Sequence, residues 1–287
     1  MTKKISYIIY RLLKMMDNIL RFFVNRSFLI YFKDFIEDNA YKKINISNTK
    51  TSFFIPNRLV EWRVDTFFTK EPETLEWIDG FEKKNNLIFW DIGANIGLYS
   101  IYNVIKNKNS VSISFEPSSS NLRVLTRNVS INKLENNIKV FPLPLTNKDN
   151  QFQIMNESDF IEGGSLNSFG EKFNFEGNIF KSKMNYQILG TSINYLIENN
   201  ILELPDYIKI DVDGIEHFIL DGASKYLKNL KIKSLSIEIN ENFIEQRQKV
   251  MEIMKKNNFK VLHKKHNKDL ISSESKFSKT YNYVFIR

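Results

Sequence analysis

The run LIFWDIGANIGLYSIYNVIKN, residues 87–107, constrains the fold more than any other stretch of the chain. Its first seven residues are almost continuously apolar and end in glycine, as a strand buried on both faces reads. The remainder of the run has the three-and-four apolar spacing of a helix. The alternation then repeats. VSISFEP is a second buried strand, SSSNLRVLTRNVSINK a helix with serine N-cap candidates, and IKVFPLPL a third strand, bent or ended by Pro142 and Pro144. Further on, SINYLIENN, HFILDGASKYLKNL and EQRQKVMEIMKKNN read as helices, each followed by a strand: DYIKIDVDG, KSLSIEIN and FKVLHK. TYNYVFIR is a last strand reached without an intervening helix, so it should run antiparallel to its neighbour. Strands and helices in this order predict an α/β fold, a doubly wound, mostly parallel sheet.

Residues 146–190 break the rhythm. They are polar and dotted with glycine, with a short alternating stretch at QFQIM, and predict a hairpin plus a long loop over the acceptor side of a site. Upstream, TSFFIPNRLVEWRVDTFF reads as one or two short strands, and EPETLEWIDGFEKK as a helix with Pro72 in its first turn. The first 33 residues carry seven bases (Lys3, Lys4, Arg11, Lys14, Arg21, Arg26, Lys33) and one acid, Asp17. Apolar residues there recur with helical spacing. Such a basic amphipathic helix packs on its own domain, pairs with a second copy as a homodimer, or lies peripherally on an anionic membrane surface. Arg11 and Lys14 interrupt what would be a signal-peptide core, so no secretion is expected and the cytoplasm, including the inner membrane surface, is the default location. The expected division is a helical extension at 1–50 and a catalytic domain at 51–287.

The absence of cysteine excludes disulfides, thiolate zinc sites and cysteine nucleophiles. A net charge of +8 speaks to solubility and steering rather than to a nucleic-acid patch, and no nucleic-acid partner is expected.

In an open α/β sheet, ligands sit beyond the carboxyl ends of the strands. The first strand offers Asp91, Gly93, Asn95 and Gly97 there, and the second Glu116 and Pro117. Asn95 stands where a dinucleotide turn has its middle glycine, and Asp91 would repel phosphate; both point away from a diphosphate. A carboxylate suits a cation, the amino group or sulfonium of S-adenosylmethionine, and Glu116 is placed to accept ribose hydroxyls. The later strand ends offer Asp211 and Asp213, then Glu238 and Asn240.

FWDIGANIGLYS, SFEPSSSNLRVLTRNVSIN, YIKIDVDGIEHFILDGA and LSIEIN, in that order, resemble the FkbM family of S-adenosylmethionine-dependent O-methyltransferases. The resemblance runs over residues 60–287. It implies a class I methyltransferase Rossmann-like sheet, with the cofactor over Asp91–Gly97 and Glu116 on the ribose. It also implies a small hydroxylated acceptor such as a sugar or a nucleotide-linked sugar. Asp213 stands where the family usually has Glu, Ile215 where it often has His, and Asn194 where Asp is common.

Methyl transfer needs an aligned acceptor oxygen and, for a sugar hydroxyl, a base to take its proton. Asp211 is the first candidate, Glu238 the second and His217 the third. Converging carboxylates are also the chemistry of a divalent-cation site, though no metal is predicted. Lys264, Lys265, His266 and Lys268, after the sixth strand, are candidates to meet an anionic acceptor. The alternatives are a nucleic-acid methyltransferase and an inactive cofactor-binding scaffold.

Overall fold

The computed structural model describes residues 1–179, 181–266, 275 and 277–287, and the chain divides into two compact units, Met1–Lys42 and Lys43–Arg287. In the first, α1 (Thr2–Val24) ends at Asn25 in the left-handed region, and α2 (Leu29–Asp38) follows. Asp17 explains the break. Its buried carboxylate accepts the backbone N–H groups of Phe28 at 2.8 Å and Leu29 at 3.3 Å and the Ser27 hydroxyl at 2.9 Å. It thereby satisfies donors that the start of α2 would leave unpaired. Among the described residues no helix is long and apolar enough to cross a membrane.

The second unit begins inside a hairpin of β1 (Tyr41–Ile46) and β2 (Thr49–Phe54), which puts the break ahead of the expected 50/51. RLVEWRVD is a helix rather than a strand: α3 (Arg58–Asp65) is capped by the Asn57 side chain, which accepts the Val60 N–H at 2.9 Å, and Val60 and Val64, one turn apart, are buried. Short α4 (Phe67–Lys70) and α5 (Pro72–Asp79) lead to the sheet.

The main chain order is then β3 (Ile88–Ile92), α6 (Leu98–Lys106), β4 (Val111–Phe115), α7 (Ser119–Ile131) and β5 (Ile138–Phe141). The insertion holds a separate antiparallel sheet of β6 (Gln151–Glu157), β7 (Ser168–Phe169) and β8 (Met184–Gly190), more ordered than a hairpin plus loop. The alternation resumes with α8 (Ile193–Glu198), β9 (Tyr207–Ile210), α9 (Glu216–Asp221), β10 (Ser234–Asn240), α10 (Ile244–Lys256), β11 (Lys260–Lys265) and β12 (Thr280–Ile286).

The seven strands lie in the order β11-β12-β10-β9-β3-β4-β5. Pairing is parallel except for β12, which runs antiparallel as the sequence predicted and lies between β10 and β11. The order reverses between β3 and β9, which opens a crevice at their carboxyl ends.

Period-two alternation gives the sheet two unlike faces. Trp90, Ile92, Ile113, Phe115, Ile208, Ile210 and Ile237 form the apolar core on one. On the other, Ser114, Asp91, Lys209 and Ser236 sit in register across four strands. Helix α6 covers this polar row with polar groups of its own: Ser100 donates to Asp91 at 2.7 Å, and Asn103 donates to Ser112 at 3.0 Å.

Candidate active site

A cavity of about 480 Å³ opens at the carboxyl ends of β3, β4, β9 and β10, a size suited to small organic ligands. One end is built on the β3–α6 turn. Gly93, at φ 85°, lies so close to β9 that a Cβ there would sit 1.9 Å from the Asp211 carbonyl oxygen, so only glycine lets the two strand ends approach. Asn95 is left-handed at φ 50° and donates its backbone N–H to Glu116 at 2.7 Å. The other Glu116 oxygen accepts the Ser118 N–H at 2.9 Å. The Asn121 amide also reaches it at 3.5 Å, and since a carboxylate has about four acceptor sites, Glu116 can still take a ligand hydroxyl. Burial pushes it up to about 7, against the pull of the Ser118 and Asn95 N–H groups. Beside it the wall is apolar, with Phe115, Leu143, Leu145 and Met155.

The insertion closes over this end. The Asn95 amide donates to the Gly164 carbonyl at 2.7 Å, and Asn121 both accepts the Gly163 N–H at 2.8 Å and donates to the Gly164 carbonyl at 3.1 Å. Arg63 donates to the Gly163 carbonyl at 2.6 Å. The Asn95 side-chain oxygen, also buried, has no hydrogen-bond partner among the described residues.

The other end is charged. Lys209, 2% exposed, donates to Asp211 at 2.7 Å beneath the Tyr99 ring. Glu71 accepts Lys70 at 2.5 Å and the Tyr99 hydroxyl at 2.7 Å. Burial opposes ionisation of Glu71, but the Lys70 and Lys209 ammoniums hold it down at about 2. Glu238 has the opposite balance: burial, then the nearby Asp211 and Asp213, raise it well above the usual carboxylate range and favour its protonated form. Asp213, left-handed at φ 64°, accepts the Leu166 N–H at 2.6 Å, and burial raises it to about 6. Behind them Glu216 accepts the Val212 and Gly214 N–H groups and the Gln246 amide, which fixes the turn after β9.

The cavity therefore brings together Gly93, Asn95, Glu116, Pro117, Asp211, Glu238 and His266. Other expected residues lie elsewhere. Asp91 is fully buried beneath α6, because it sits on the polar face of β3, and it does not line the cavity. Gly97 starts α6, packed against Leu125. His217 is turned by the first turn of α9 onto Phe218 and Phe243, away from the cavity; burial, then Lys249, push it down to about 4. Lys264 and Lys265 belong to β11 and pair with Glu241 at 2.7 Å and Glu76 at 3.1 Å, so neither lines the cavity. His266 does, with its ring stacked on Tyr281. Lys268 lies outside the described residues.

Lys209, Glu71, Tyr99 and Arg63 were not expected. Lys209 had a signal: in a strand it shares a face with Asp211, two residues on. Among the described residues no group of three or more His, Asp or Glu side chains is placed to hold a metal ion.

Residues 91–261 match the family described as the Methyltransferase FkbM domain. No curated protein matches the sequence. Among solved structures, the chain is similar to precorrin-6y C5,15-methyltransferase from Geobacter metallireducens, at 14% identity and a TM-score of 0.43 over 76% of this chain and 86% of that one. It is also similar to the C-terminal domain of the Rhodobacter capsulatus precorrin-6Y C5,15-methyltransferase, at 11% identity and a TM-score of 0.41 over 76% and 88%. A third is M. capricolum TrmK in complex with S-adenosyl-homocysteine, at 14% identity and a TM-score of 0.41 over 74% and 66%.

Proposed function

The chain belongs to the methyltransferase FkbM family, and from that premise we propose that it is an S-adenosylmethionine-dependent O-methyltransferase acting on a hydroxyl of a sugar, a nucleotide-linked sugar or a similar small metabolite. The observation that carries the reading is one cavity with two unlike ends: Glu116 beside an apolar wall, and Asp211 with Glu238 among paired charges. The first end fits an adenosyl group. Glu116 would accept the ribose hydroxyls, the unpartnered Asn95 oxygen would take a further donor, and Phe115, Leu143 and Met155 would face the base. When bound, S-adenosylmethionine supplies an electrophilic methyl group on its sulfonium.

At the other end Asp211 takes the proton of the acceptor hydroxyl, and its pairing with Lys209 fixes its direction. Glu238, which burial favours as the neutral acid, donates a hydrogen bond that holds the acceptor in place. Carboxyl groups in both protonation states suit an acceptor rich in hydroxyls, since each hydroxyl both donates and accepts. His266 is the remaining candidate for an anionic part of the acceptor.

Calorimetry with S-adenosyl-homocysteine and a screen of sugar nucleotides and polyols with methyl-labelled cofactor test the reading. Asp211→Asn should leave cofactor binding within a few-fold and lower turnover by about 10²–10⁴. Equal loss of binding would make Asp211 a cofactor residue, and binding of NADH in place of the adenosyl ligand would overturn the proposal.

A further inference from the structure

We propose that α1 is a docking helix for an anionic phospholipid surface, which it lies along rather than crosses. At about 100° per residue, Ile5, Ile8, Ile9, Leu12, Met16, Ile19 and Phe23 share one side of α1. Every one of them is exposed, Leu12 by 54%, Ile19 by 54% and Phe23 by 76%. Lys3, Lys14 and Arg21 share the opposite side. The helix has a single acid, Asp17, and that carboxylate is internal, occupied by Ser27, Arg21 and the first turn of α2. The polar side of α1 thus presents cations without a competing surface anion.

Charge complementarity selects the occupant. Anionic headgroups attract Lys and Arg at the membrane surface, while long basic side chains reach from the edge of the apolar side to the headgroup level. Lys4 and Arg11 stand at that edge, next to Met15 and Phe22. A second copy of the chain is the poorer match. A two-helix seam is narrower than the stripe of about 100° by which a helix packs on a globular core. Here Met15 and Phe22 on one flank and Leu20 and Val24 on the other widen the apolar side past half the circumference, and a paired seam would leave Phe22, already 85% exposed, in water. Helices with a broad apolar side and a basic polar side lie in the interface plane.

Co-sedimentation of the full chain with phosphatidylglycerol–phosphatidylcholine vesicles and with pure phosphatidylcholine vesicles tests this. Binding should require the anionic lipid and weaken at least about tenfold in about 0.5 M salt. The combined Lys3→Gln, Lys4→Gln, Arg11→Gln and Lys14→Gln variant should lose as much. Leu12→Glu with Ile19→Glu should abolish it, with helix content checked by circular dichroism; if that variant does not fold, the charge variant decides alone. Absence of binding to anionic vesicles, or binding indifferent to the four substitutions, would overturn the proposal. So would a dimer in ultracentrifugation that the Leu12 and Ile19 substitutions split, in a chain that ignores vesicles.

Discussion

Replacing Lys209 by Met keeps an unbranched side chain one atom shorter and deletes its charge. The ammonium lies 2.7 Å from Asp211, with side-chain exposures of 2% and 25%. At an effective dielectric of about 20, opposite unit charges at that separation attract by roughly 6 kcal/mol. Desolvation of the ammonium cancels part of this, and removing one partner of a buried pair costs about 3–5 kcal/mol. Water reaching Asp211 takes up some of the lost attraction, so the lower end applies, about 3 kcal/mol. Burial pushes the Lys209 pKa down, but Asp211, Asp91 and Glu71 outweigh it and raise it above the ordinary lysine value. A raised lysine stabilises the fold fully at neutral pH, and that contribution fades only as pH climbs through its folded pKa in the strongly alkaline range. Urea unfolding at pH 7 should therefore show a lower midpoint with an unchanged slope. In a double-mutant cycle, Lys209→Met with Asp211→Asn should cost clearly less than the sum of the single losses, because the second change removes the stranded charge. A single-variant loss below about 1 kcal/mol, or additive losses, would refute the account of Lys209 as the counter-charge of this site.

Glu116 and Glu216 are raised by burial to about 7, and Asp213 to about 6. Their contribution to stability is complete below the ordinary carboxylate range and disappears as pH rises through 6–7, so the melting temperature of the ligand-free protein should fall between pH 5 and 8; a rise would contradict this burial. If Glu116 accepts the ribose hydroxyls as proposed, its ionised form is the better acceptor, so affinity for S-adenosyl-homocysteine measured by calorimetry should increase over the same interval, and Glu116→Gln should flatten that increase. Gly93→Ala should be more damaging than Gly97→Ala, although both glycines lie at φ 85°. The first meets a backbone carbonyl at 1.9 Å and the second a Leu125 methyl at 2.4 Å, which can move. Thermal melts of the two proteins, with equal losses as the contrary result, check the difference.

β3, β4, β9 and β10 were legible because strands buried on both faces carry short apolar runs that end in turn residues and alternate with helix-spaced segments. Facing was harder. Asp91 ends an apolar strand, as expected, yet its position in the pleat turns it under α6, and only the partner Ser100 reveals that. His217 and Glu216 are adjacent, so a small error in helix phase exchanges a turn-fixing acid for a histidine packed on Phe243. Lys209 was hidden inside the run YIKID, where one charge looks like an interruption. The aromatics flanking α3 made the stretch read as strand although Asn57 caps it as a helix, and only QFQIM hinted at the pairing of β6 with β8 over seven residue pairs. Long-range pairing of this kind leaves little trace in local composition.

The segment 163–167 is fastened at both ends: Asn95, Asn121 and Arg63 hold Gly163 and Gly164, while Asp213 holds Leu166. Only Ser165 stands between the fastenings at Gly164 and Leu166, and at about 3.8 Å per Cα step so short a strap transmits a pull instead of absorbing it. On the proposed reading, a cofactor beside Glu116 and an acceptor near Asp213 would then act on one another through this strap. By reciprocity, whatever factor the cofactor applies to acceptor affinity, the acceptor returns to the cofactor.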